Sequence, residues 1–109
     1  MNVKDLVDKE LFKLVNMGNN PLVSISKVYC CDLLSIAMGR APADSVWVTV
    51  MSNVNTLAVA SLADIACIVF AEGSTLDEMT LQKAKIQGIT ILYTDLPIFD
   101  AALAIHQLL

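Results

Sequence analysis

Residues 45–73 read SVWVTVMSNVNTLAVASLADIACIVFAEG. Val46, Val48 and Val50 alternate with Trp47, Thr49 and Met51, so a strand through them presents two largely apolar faces. A strand apolar on both faces needs cover on both, the condition met in parallel sheets flanked by helices. Ser52–Asn53 breaks the run and starts a helix at one or the other residue. The helical run LAVASLADIA is rich in small side chains that lie close against a sheet. Cys67–Ala71 (CIVFA) is a second doubly buried strand, and Glu72–Gly73 turns the chain. The stretch is a strand, a helix and a parallel strand, and it forms the core of the fold.

Working outward, Thr75 and Glu78 fit a capping box three residues apart. The following helix has Leu76, Met79, the stem of Lys83 and Ala84 on one side, and Gly88 is placed to end it with a positive φ. Ile89–Tyr93 is a further strand. A last helix starts at Asp95 or Leu96, with Pro97 in its first turn. Ile98, Ala101, Ile105 and Leu108 share one of its faces, and Phe99, Ala102, Leu103 and His106 the other. Toward the N-terminus, Val3–Glu10 reads as a helix, Leu11–Val15 as a short strand and Asn16–Pro21 as a loop. Val23–Cys30 alternates loosely as a strand. Asp32 is placed to cap a helix over Leu33–Gly39, and Ala41–Asp44 is a turn.

From Ser24 onward, strands and helices alternate. The expected fold is therefore α/β: a single three-layer domain over residues 1–109. Its mostly parallel central sheet has about five strands, with helices on both faces. Leu11–Val15 is expected at a sheet edge, with antiparallel pairing open to it.

Composition narrows the function. Of 109 residues, 56% are hydrophobic and 17% charged, an apolar balance that points to a homo-oligomer. The net charge of −4 comes from the second half, where Lys83 and Lys85 face six acidic residues. No basic cluster is present to hold nucleic acid or a membrane surface. No apolar run approaches the ~20 residues that span a bilayer. MNVKDLVDKELF lacks the apolar segment of a signal peptide, so a cytoplasmic location is expected. Cys30, Cys31 and Cys67 form an odd set with a vicinal pair, a poor disulfide framework. The pair invites a redox or metal reading. A strand sends alternate side chains to opposite faces, however, and free cysteine is commonly a small buried hydrophobe.

Ligands of such sheets bind beyond the carboxyl ends of the strands. Polar residues gather there: Asp32 with Ser35, then Ser52, Asn53 and Asn55, then Glu72–Thr75, then Thr94 and Asp95. Three of these segments open helices, whose first amides favour an anion. They equally suit the caps and turns that every α/β protein needs. Asp32, Ser35, Ser52, Asn53, Asn55, Thr94 and Asp95 are the candidate ligand-binding residues. The glycines, Gly18, Gly39, Gly73 and Gly88, fit neither a dinucleotide fingerprint nor a phosphate loop. The one histidine, His106, sits in the last helix as a packing or surface residue. One histidine and scattered cysteines make no zinc site, and no metal or other cofactor is expected.

VYCCDLLSIAMGRA followed by VWVTVMSNVNTLAVASLADIACIVFAEG resembles the DRTGG domain family. The matching residues are Asp32, Leu33, Leu34, Ser35 and Met38, then Trp47, Thr49, Met51, Asn53 and Asn55. Ala58–Val59–Ala60 and Glu72–Gly73 follow. KAKIQGITILYTDLPIFDAALAI resembles the family's closing strand and helix, so the likeness runs over nearly the whole chain. The motif that names the family is missing, since Asn19–Tyr29 reads NNPLVSISKVY. Met51 and Asn53 replace the family's Gln and His.

The resemblance implies a domain similar to the N-terminal domain of HPr kinase/phosphorylase, without its kinase part. Similar domains accompany CBS-type modules and phosphotransacetylase as regulatory or assembly units. The expected function is therefore a non-catalytic regulatory domain sensing a nucleotide or metabolite at the strand ends. The alternative is a pure interaction subunit of a larger metabolic enzyme. A small enzyme using Asp32, Ser52 and Thr94–Asp95 is a third class. Kinase activity is excluded by the missing phosphate loop.

Overall fold

A computed structural model describes all residues from Met1 to Leu109. The strands are β1 (Lys13–Asn16), β2 (Val28–Cys30), β3 (Val46–Thr49), β4 (Cys67–Phe70) and β5 (Ile91–Tyr93). The helices are α1 (Val3–Asp8), α2 (Leu34–Arg40), α3 (Val54–Leu62), α4 (Glu78–Gln87) and α5 (Ile98–His106). One sheet runs in the order β1-β5-β4-β3-β2. β2 to β5 are parallel and lie side by side in chain order, while β1 pairs antiparallel with β5. The sheet is thus mixed, and its antiparallel member is the early edge strand.

Alternation builds two core layers. Val46, Val48, Cys67, Val69 and Leu92 pack with Val3 and Leu6 of α1 and Ala101 and Ile105 of α5. Trp47, Ile68, Phe70 and Ile91 pack with Ala37 of α2, Leu57 and Ala60 of α3, and Ala84 of α4. Every residue of β3 and β4 is buried, as two-sided cover requires. The sides of α5 follow the sequence pattern except at Ala102, which is half-buried against the core layer. Ala101 and Ile105 are buried, Ile98 and Leu108 pack against the same layer, and Phe99, Leu103 and His106 are exposed. Gly88 ends α4 at φ 69°, in the left-handed region that glycine enters without a steric penalty. No helix is long and apolar enough to cross a membrane.

Four expectations need correction. First, Val23–Cys30 is not one strand, because only Val28–Cys30 joins the sheet. Its first part pairs with the N-terminal segment instead: Val3 N–H donates to the Val23 carbonyl at 3.1 Å and Ile25 N–H to the Met1 carbonyl at 2.9 Å. Second, Asp32 caps no helix. The N-cap of α2 is Leu33, which offers no side-chain acceptor. Third, the capping box at Thr75 and Glu78 does not form. Asp77 is the N-cap of α4, accepting from Thr80 N–H at 2.7 Å. That bond holds the Asp77 carboxyl below the usual carboxylate range, by favouring its ionised form. Fourth, Met79 and Lys83 are exposed and Thr80 takes the inward position, while Leu76 and Ala84 are buried as expected.

Candidate functional site

The carboxyl ends of β2 to β5 lie in a row, and the polar segments of the sequence meet there. The strand order runs 2-3-4-5 without reversal, so this row lacks the switch-point crevice of doubly wound folds. Any site must come from the loops.

Along β2 and β3 the polar groups bind one another. Asp32 Oδ1 accepts from Thr49 Oγ1 at 2.7 Å and from Val50 N–H at 3.0 Å. Thr49 Oγ1 also accepts from Met51 N–H at 3.2 Å. Trp47 Nε1 donates to the Cys31 carbonyl at 3.0 Å, fixing the loop that carries Asp32. Asn53 is the N-cap of α3, its Oδ1 accepting from Asn55 N–H at 2.9 Å and Thr56 N–H at 3.3 Å. Thr56 Oγ1 donates to the Met51 carbonyl. The Asn55 and Thr56 amides in the first turn of α3 are therefore occupied by its own cap. Ser35 and Asn55 are exposed in the first turns of α2 and α3, and Ser52 is half-buried in the bend between β3 and α3.

Along β4, β5 and β1 the loops leave a cleft of about 280 Å³, lined by Lys13, Gly73, Ser74, Thr75, Tyr93, Thr94 and Asp95. One wall is a tight turn with Glu72 at φ 60° and Gly73 at φ 74°, closed by Ser74 N–H donating to the Ala71 carbonyl at 3.0 Å. Two consecutive positive φ angles are the signature of a type I′ turn. Glu72 N–H donates to the Leu96 carbonyl at 2.9 Å and Gly73 N–H to the Thr94 carbonyl at 3.0 Å, so these amides cradle no anion. Ser74 Oγ donates to the Val50 carbonyl at 2.8 Å, which joins the cleft to the end of β3. Tyr93 Oη accepts from Leu76 N–H at 2.8 Å, and its ring meets Phe70 edge-on at 6.3 Å. Thr94 Oγ1 accepts from Leu96 N–H at 3.1 Å.

Of the candidate residues, then, the structure brings Thr94 and Asp95 into the cleft. Asp32, Ser35, Ser52, Asn53 and Asn55 lie along the neighbouring strand ends. Lys13 and Tyr93 were not legible as site residues. Antiparallel pairing sets Lys13 opposite Tyr93, and the local sequence LFKLV carries no sign of that.

Chemically, the cleft offers one ammonium, one carboxylate and several hydroxyls, a set suited to hydrogen-bonding a polar ligand. No three His, Cys, Asp or Glu side chains gather to hold a metal ion. Burial pushes the Cys67 thiol up to about 12, and burial together with the nearby Asp32 charge raises that of Cys30. Neither is an activated thiolate at neutral pH. His106 lines a different groove, with Val28, Cys30 and Phe99.

No protein-family model matches the sequence, and no curated protein matches it closely enough to count as a relative. The fold is nevertheless shared with a solved structure. That structure holds the CBS and DRTGG domains of the regulatory region of Clostridium perfringens pyrophosphatase, complexed with its activator diadenosine tetraphosphate. The TM-score is 0.77 at 15% identity, over 97% of this chain and 46% of that one. The chain thus spans about half the length of its neighbour, and at this identity the likeness shows a DRTGG-like fold.

Proposed function

We propose that this chain is a member of the DRTGG family that works as a non-catalytic regulatory domain. It senses a nucleotide or related metabolite at the carboxyl ends of its strands. The carrying observation is the fold shared with a regulatory region solved with a nucleotide activator. The cleft supports the reading, with Thr94, Asp95, Lys13 and the Ser74 and Thr75 hydroxyls as contacts. At about 280 Å³ it lies near the lower end of small-ligand pockets. It takes a base or a sugar phosphate, and the remainder of a larger ligand runs along the strand ends toward Ser52 and Asn53. Asn55, Asp32 and Ser35 lie farther out on that path. The domain acts in the cytoplasm, on itself as a homo-oligomer or on a larger metabolic enzyme.

Thermal denaturation against a panel of nucleotides and acyl phosphates tests this. A ligand at a hundredfold excess over its Kd adds about 2.7 kcal/mol and raises Tm accordingly. An unchanged Tm with every compound sinks the sensing role. The second reading, a pure interaction subunit, draws on the many large apolar side chains left in solvent, among them Leu22, Leu62, Met79 and Ile86. Under it no compound shifts Tm, while the chain sediments as an assembly.

A further inference from the structure

We infer that the groove between α5 and edge strand β2 is a self-association face, filled by a second copy of this chain. The groove holds about 300 Å³ and is lined by Val28, Cys30, Phe99, Ala102, Leu103 and His106. It stands apart from the strand-end cleft, and the inference does not depend on what that cleft binds. β2 has one neighbour in the sheet, β3, so its outer edge is free. α5 packs across β2 and β3 on one side of that edge. α2, in the opposite layer, follows β2 directly in the chain.

Both flanking helices carry large apolar side chains in solvent, α2 beside Ser35 and Arg40 and α5 beside Asp100 and His106. Phe99 is 70% exposed and Leu103 39%, while Leu33, Ile36 and Met38 at α2 are 54%, 44% and 56% exposed. With large side chains of roughly 200 Å² each, these five show roughly 500 Å² of apolar surface. A standard interface buries about 800 Å² per partner, somewhat more than half of it apolar. The patch therefore supplies about the apolar share that one side of a stable dimer needs.

The occupant follows from what the patch contains. It carries both a projecting ring, Phe99, and a hollow large enough for a ring beside it. A two-fold axis seats each Phe99 in the other copy's groove, the self-complementarity of an isologous contact. Charge agrees. The groove lining has no Lys, Arg, Asp or Glu, so the groove itself sets no like charges against each other when two chains of net charge −4 meet. α5 has Asp100 in its first turn and His106 in its last. Two antiparallel copies of α5 bring each Asp100 toward the other's His106 and oppose their helix dipoles favourably.

Sedimentation velocity and light scattering of the full chain test the proposal. Wild type is expected at the mass of two chains, and Phe99→Asp at half that mass with an unchanged circular dichroism spectrum. Leu62→Asp, at an equally exposed apolar position on α3, is expected to keep the mass of two. Should Phe99→Asp fail to fold, Leu103→Arg is expected to give the same halving. In wild type, maleimide labelling of Cys30 slows as protein concentration rises, and in Phe99→Asp it does not. A wild-type mass of one chain overturns the inference, as does a dimer that survives Phe99→Asp. Pairing through this face only with a different protein overturns it as well.

Discussion

The two halves of the sheet's carboxyl edge are made of similar residues and end in different states. Over β2 and β3, Asp32, Thr49, Val50 and Met51 bind one another, and Asn53 closes the start of α3. Over β4, β5 and β1, Lys13, Thr75 and Asp95 stand around an open cleft. A polar residue at a strand end therefore does not by itself mark a site. What matters is whether its hydrogen-bonding groups are already taken, since a buried polar group without a partner is costly and is matched inside the protein first.

The largest expected effect is at the closed half. Trp47 is fully buried and ties the Cys31 carbonyl to β3, so Trp47→Ala should destabilise by ~3–5 kcal/mol in urea unfolding. A loss under ~1 kcal/mol would mean that this half is not held from within. Next, Thr49→Val keeps the shape and removes the hydroxyl between Asp32 and Met51 N–H, for a loss of ~2 kcal/mol. If Asp32→Ala on top of Thr49→Val adds its full separate cost, the two groups are not one network. Asn53→Ala removes the cap of α3 and should cost about 1 kcal/mol. The smallest effect on stability belongs to the open half. Lys13→Ala should change it by less than about 0.5 kcal/mol while abolishing the nucleotide-induced rise in Tm. An undiminished rise would place the ligand elsewhere.

The difference between the halves also marks how far the sequence could be read. The segment from Val46 to Phe70 was legible because two-faced apolar alternation and a small-residue helix describe a covered parallel pair without outside help. Gly88 was legible because one residue type answers one backbone conformation. Asp32 was misread because a carboxylate before an apolar run suits a cap equally well. Its true donors, Thr49 and Val50, lie at and just past the end of the next strand. Val23–Ser26 was misread for the same reason, its backbone partners being Met1, Val3, Asn20 and Asp44. Of the cleft, Thr94 and Asp95 were visible as polar residues after a strand. Lys13 came into place only through pairing between the ends of the chain.

That pairing bears on how the molecule assembles and breathes. Each parallel neighbour in the sheet is joined by a single crossover, so β2 to β5 can form by successive short closures. The contact of Leu14 with Leu92 joins residues 78 apart in a chain of 109, the kind of contact that slows folding most. β1 is also an edge strand with Lys13 and Leu14 exposed, and its register is broken between Leu14 and Asn16. It should dock last and open first, with its amides exchanging hydrogen sooner than those of β3 and β4. Because β1 carries Lys13, one wall of the cleft would then belong to the least firmly held strand. A ligand bound there would slow exchange at β1 above all.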